Sequence, residues 1–401
     1  IDPESLPPSV RLARVNGDFY KLEPSPHFAP IQPGERRAIA FEANAWAVKA
    51  IDAPAGFYFV FEDADGNPLP PAAVADVSTA PFTRPEQTDR GPNDAVPVPT
   101  PASRYAKNQA LQVLPAHAVE RIVPTPASMV RRAGTFTLDD AATIRYVDGL
   151  RAEAEGLADA LAALLGSRPR VTGADRPAAV MLRQGTVTVE GRTYEAGAEA
   201  YRLTVDEDGI EIVGTDPAGV FYGVQSLRAL LPLDAYHQSA ASIDVPAVAI
   251  ADAPRFPYRG LHLDVARNFQ PVEAVKRLLD VMAFYKLNTF HFHLTDDEGW
   301  RLAIDGLPEL TEVGGRRGHT LDERDRLVPS YGSGPDPAPE TSYGSGWYTR
   351  DEFVDLLRYA HARHIEVIPE IDVPGHARAA IVAMKARYDR FVEAGDTRAA
   401  N

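Results

Sequence analysis

The 401-residue chain contains no cysteine. Disulfides, thiolate zinc sites and a cysteine nucleophile are therefore excluded. Basic residues are scarce relative to acids: 41 Lys and Arg stand against 56 Asp and Glu, for a net charge of −15. Holding a phosphate backbone needs a basic face, so nucleic acid is not expected as a partner. No apolar run approaches the ~20 residues that a membrane helix requires. No glycine fingerprint of the G-x-G-x-x-G kind follows any strand-like segment, which disfavours a dinucleotide fold. What the chain does have is an ordinary apolar content, 45%, and a length too great for one core. Two or three domains are the expectation.

The N-terminal residues 1–62 alternate apolar and polar side chains in short runs such as "RLARVNGDFYKLEP" and "GFYFVFED", broken by turn signals such as Asn16-Gly17. This pattern predicts antiparallel strands, a β-sandwich or part of one, extending to about residue 80. Residues 81–114 are Pro-rich and predict an extended linker. Residues 115–250 mix strands with two helical segments. One of these covers 150–166 and stops at Gly166; the other opens near Pro217. A hairpin around Asp208-Gly209 separates them, and the mixture predicts an α+β domain.

From residue 251 to 401 the pattern changes to strict alternation of strand and helix. "RGLHLDVA", "NTFHFHLTD" and "IEVIPEIDV" read as strands, each followed by an amphipathic helix. Three βα units in succession predict a parallel sheet, in a barrel or a doubly wound fold. In barrels the chemistry sits where strands end. The first strand ends in Asp264 and Arg267. The second ends in Asp296, Asp297, Glu298 and Trp300, and the third in Glu370, Asp372 and His376. Carboxylates and Arg can pair with neighbouring hydroxyls, and a Trp face can cover a pyranose ring, so the set suits a sugar. Each residue also has a plainer reading: a satisfied inward acid at Asp264, turn formers at Asp296 and Asp297, a loop histidine at His376. His291 and His293 lie on one face of their strand. They are either ligands of a metal-dependent hydrolase or partners in a hydrogen-bonded interior layer.

Residues 256–319 and 348–379, with "LDVAR", "HFHLTDDEGW" and "EIDVPGH", resemble the start of the catalytic barrel of family-20 glycoside hydrolases, the β-N-acetylhexosaminidases including bacterial chitobiases. The resemblance implies three parts: the end of a carbohydrate-binding-like sandwich (1–80), an α+β domain (115–250), and the first three βα units of a (β/α)8 TIM barrel (251–401). It implies hydrolysis of terminal N-acetyl-β-hexosamine residues from chitobiose and chitooligosaccharides, by a substrate-assisted retaining mechanism without metal or organic cofactor. It makes Arg267 a sugar-binding residue, and the strand-end positions of Trp300 and Glu298 place them as sugar-binding residues beside it. Asp296, His376 and Asp372 become the network that supports the catalytic acid. His291 and His293 become interior residues. The family's catalytic Asp-Glu pair follows the fourth strand. The Asp-Glu dipeptides here, at 206–207, 297–298, 322–323 and 351–352, stand elsewhere. The pair is thus expected outside these residues, with a longer chain or a second chain completing the barrel. A periplasmic or extracellular location follows from the same resemblance. A non-catalytic carbohydrate-binding fragment is the main alternative.

Overall fold

The structure is a computed structural model that describes residues 1–43, 49–82, 96–114, 121–147 and 149–396, together with residues 84, 87 and 93. The Asn16-Gly17 turn does close a hairpin, between β1 (Val10–Asn16) and β2 (Phe19–Pro24). A second antiparallel pair joins β3 (Tyr58–Phe59) to β4 (Ala72–Ala73). These are separate two-stranded sheets with mostly exposed side chains, so the described residues bury no sandwich core here. Strands of two residues are too short to form one. Residues 44–48 and most of 83–95, parts of the expected strand run and linker, lie outside the described residues. The linker reading is also corrected at its end: Pro101–Gln109 is a helix, α1. Thr100 and Ser103 cap it reciprocally, and Pro101 supplies a preset first turn.

The middle segment folds as expected, into a sheet carrying helices. Its strands are β5 (Ser128–Asp139), β6 (Thr143–Tyr146), β7 (Arg170–Thr172), β8 (Val180–Gln184), β11 (Tyr201–Asp206), β12 (Gly209–Gly214) and β13 (Ser242–Asp252). A small hairpin, β9 (Val187–Val189) with β10 (Arg192–Tyr194), lies outside the main sheet. The order is β5-β13-β11-β12-β8-β6-β7, antiparallel on the β5 side and parallel from β12 to β7. Helices α2 (Arg151–Leu165) and α3 (Pro217–Leu230) bury Leu157, Leu161, Val220 and Leu227 against Leu182, Leu203 and Ile212. Gly166 ends α2 at φ 72°, as a left-handed cap requires.

The last segment carries a three-stranded parallel sheet, β14 (Gly260–Asp264), β15 (Thr289–His293) and β18 (Glu366–Glu370), with β15 central. Helices α4 (Val272–Phe284), α6 (Arg350–His361) and α7 (Arg378–Glu393) follow the strands in turn. Between β15 and α6 come the short hairpin β16 (Thr295–Asp296) to β17 (Gly299–Trp300) and a one-turn helix, α5 (Glu309–Glu312). The strand sequences explain the layering. Leu261, Leu263, Phe290, Phe292 and Val367 form one face and pack with Val275, Leu279, Met282 and Leu356 of the helices. The alternate positions form the other face, where Asp264, His293 and Glu370 stand in register across all three strands. The period of two thus separates an apolar face from a titratable one.

Candidate active site

Asp296 is the hub. It is 1% exposed and lies two residues beyond β15's neighbour Leu294. Its carboxylate accepts from the Asp297 amide at 2.6 Å, contacts His293 Nε2 at 2.9 Å and His376 Nδ1 at 3.0 Å, and pairs with Arg267 Nη2 at 2.7 Å. Burial by itself would raise its pKa. These donors outweigh burial and hold it below the usual carboxylate value. Asp296 is therefore a fixed anion.

Arg267 spans three carboxylates. Nη1 donates to Asp264 Oδ2 at 2.6 Å, Nη2 meets Asp296, and Nε lies 3.9 Å from Glu298 Oε2. Asp264 also accepts from the backbone amides of Ala266 and Arg267, so it turns the chain and aims the guanidinium together. Burial opposes the charge on Arg267, yet Asp264 and Asp296 raise its pKa above the ordinary value. Glu298 differs from its neighbours: burial, then repulsion by Asp296, raises its pKa. A carboxyl held towards neutrality can donate to a hydroxyl as well as accept from one.

Glu370 underlies this array. Its Oε2 lies 2.6 Å from His291 Nε2, 3.0 Å from His293 Nδ1 and 3.7 Å from His262 Nε2. Burial would raise Glu370, but the bond from His293 leads the effects that lower it. His293 is itself raised: burial works against its charge, and its bonds to Glu370 and Asp296 prevail. Nitrogen and oxygen atoms of His262, His293 and Glu370 lie close enough together to surround an ion. However, both His293 nitrogens are already engaged by carboxylates, Nε2 by Asp296 and Nδ1 by Glu370. Asp372 approaches from the next turn. Its amide donates to Thr295 Oγ1 at 3.2 Å, and its side chain is among the groups that act on Glu370.

Of the residues expected at the site, Arg267, Asp296, Glu298 and His376 are brought together. Trp300 is not brought to the Arg267 cluster: its ring packs with Leu310, Val313 and Ala383, and its Nε1 donates to the Leu302 carbonyl at 2.6 Å. Sequence reading passed over Arg301, which is fully buried and has no carboxylate partner among its hydrogen bonds. It donates to the carbonyls of Val265, Ala266, Gly315, Gly344 and Gly346 at 2.6–3.1 Å. Burial lowers its pKa to about 9. Gly299 must be glycine here, since a Cβ would come 2.5 Å from the Arg301 guanidinium carbon. A signal was present in the sequence: the glycines at 314–315 and the repeated Tyr-Gly-Ser-Gly supply three of those carbonyls.

The site is thus a parallel sheet with a titratable face and an Arg framed by carboxylates at its strand ends. Comparison with known proteins gives its family. Residues 256–400 match the model described as "Glycosyl hydrolase family 20, catalytic domain", 119–253 match the same family's domain 2, and 7–102 match a putative carbohydrate binding domain. The chain belongs to glycosyl hydrolase family 20. It is 36% identical to a β-hexosaminidase of Vibrio vulnificus, over 96% of this chain and 44% of that protein. It is 37% identical to an N,N'-diacetylchitobiase of Vibrio harveyi, over 98% of this chain and 42% of that protein. The chain thus spans less than half the length of these relatives. Among solved structures, it resembles the Vibrio harveyi exo β-N-acetylglucosaminidase in complex with N-acetylglucosamine. There the TM-score is 0.70 at 29% identity, covering 96% of this chain and 52% of that one.

Proposed function

We propose that the protein is an exo-acting β-N-acetylhexosaminidase and that the Arg267–Asp296 cluster holds the terminal sugar. The observation that carries this is Arg267, fixed by Asp264 and Asp296 yet partly open, with its third edge towards Glu298. A guanidinium so framed presents its remaining donors to vicinal hydroxyls in one orientation. Arg267 and Glu298 bind the sugar. Trp300 contributes through the wall that it packs rather than by stacking. Asp296 and His376 form the supporting network, and Asp372 joins it through Glu370.

The domains run 1–80, 115–250 and 251–401, joined through a linker at 81–114 that carries α1, and the last is the first three βα units of a (β/α)8 barrel. His291 and His293 then face the barrel interior. The catalytic Asp-Glu pair lies outside these residues, in further sequence or in a second chain. In the reaction, the acid of that pair protonates the leaving oxygen. The substrate's 2-acetamido carbonyl oxygen bonds to C1 as the C1–O bond breaks, giving an oxazolinium. Water then attacks C1 as the bond from C1 to the acetamido oxygen breaks, which restores the 2-acetamido group, and the same residue, now a carboxylate, takes the water's proton. The substrates are chitobiose and chitooligosaccharides, met in the periplasm or outside the cell. The Vibrio harveyi protein named above, a diacetylchitobiase by name, supports that choice.

The test is calorimetric binding of N-acetylglucosamine to the full-length protein. Arg267→Ala loses several charge-assisted hydrogen bonds and weakens binding by about 100-fold. An unchanged affinity in a folded variant removes Arg267 from the site.

A further inference from the structure

The N-terminal hairpin reaches the site. Asp18, in the β1–β2 turn, uses both carboxylate oxygens on the loop between β17 and α6. Ser330 Oγ donates to Oδ1 at 2.8 Å, and the Tyr331 amide donates to Oδ2 at 3.1 Å. Two further contacts press the same surfaces together. Tyr58 Oη lies 3.2 Å from His319 Nδ1, with the two rings edge to face. Gly56 lies so close to Gly332 that a Cβ on it would come within 2.8 Å of the Gly332 carbonyl. Tyr331 itself is held at φ 50°, a left-handed conformation that a bulky residue adopts only when its surroundings impose it. In that conformation its half-exposed phenol is within hydrogen-bond reach of the Arg267 guanidinium.

We propose that Asp18 is a positioning residue of the sugar site: it fixes Tyr331 in its strained conformation, and Tyr331 closes the side of the Arg267 pocket that receives the terminal sugar. The N-terminal domain is then a structural part of the site rather than a separate anchor. Its hairpin sets affinity for the terminal residue, while the chemistry at C1 is left to groups elsewhere. The inference rests on the glycosidase reading above.

The experiment is steady-state kinetics of the full-length protein on a chromogenic N-acetyl-β-glucosaminide. Asp18→Ala raises KM about tenfold, with kcat within about twofold, since the interaction lost is a pair of hydrogen bonds to a charged acceptor. Asp18→Asn, whose amide can accept only one of the two bonds, falls between. Tyr331→Ala raises KM comparably, and the double variant Asp18→Ala/Tyr331→Ala is no worse than Tyr331→Ala alone, because Asp18 acts through that ring. An unchanged KM in Asp18→Ala overturns the proposal. So does a double variant whose effects add, or a loss of kcat and melting temperature with KM intact. If Asp18→Ala does not fold, Asp18→Asn and Tyr331→Ala probe the same contact: a raised KM in both supports the proposal, and an unchanged KM in either overturns it. A wild-type protein without turnover refutes the glycosidase reading, and this inference with it. An active wild type with an indifferent Asp18 refutes this inference alone.

Discussion

At the residue scale, the site is a problem of keeping charge in a half-buried place. Asp296 succeeds because four donors converge on it, and two of these are histidines whose proton affinity it raises in return. The consequence is a pH dependence with a definite sign. His376 is raised above the ordinary imidazole value by its bond to Asp296, and His293 is raised against the effect of burial. Each binds its proton more tightly folded than unfolded. That stabilisation is complete below the ordinary imidazole value of 6.5 and is lost as pH rises through the folded values. Asp296 acts in the opposite sense: its contribution is present above the ordinary value of 3.8 and is lost as pH falls through its lowered folded value. Thermal melts should therefore show a decline from neutral towards alkaline pH that is shallower in His376→Ala. An identical slope would show that the pair contributes nothing. Arg267, Asp296 and His376 were legible in the sequence because strand-end acids and bases stand out against apolar strands.

At the scale of elements, the βα alternation and the helices were legible because period and capping are local. The Thr349–Glu352 capping box and the Gly166 stop are written in consecutive residues. The loop from 313 to 348 was not legible, because side chains outside it help to order it, Arg301 and Asp18 among them. Arg301 ties Gly315, Gly344 and Gly346 to Val265 and Ala266, the residues just before Arg267. A buried cation with only carbonyl partners is costly, yet removing it strands five acceptors. Arg301→Met should destabilise the protein by about 3–5 kcal/mol in urea melts. It should also open 313–348 to limited proteolysis. A variant equally stable and equally resistant would show that the loop is held by other contacts. Helix α1 was missed for a different reason: prolines drew attention to extension, whereas Pro101 at a first turn initiates a helix.

At the scale of the whole molecule, the three segments share side chains across their boundaries. Arg259, ahead of β14, pairs with Glu199 at 2.7 Å and reaches Tyr222 of α3 at 3.0 Å. His364 meets the buried Glu153 of α2 at 2.9 Å. The Asp18 clamp adds the N-terminal hairpin to the same assembly. None of these contacts could be read from sequence, since each links residues far apart in the chain with no pattern to announce it. They give the sheet that carries Arg267 a fixed frame. The claim that this frame serves a glycosidase is tested most directly by hydrolysis of a chromogenic N-acetyl-β-glucosaminide by the full-length protein, with a thiazoline mimic of the oxazolinium as inhibitor. The prediction is turnover that the thiazoline abolishes. A well-folded protein that shows no turnover, or turnover indifferent to the thiazoline, would contradict it.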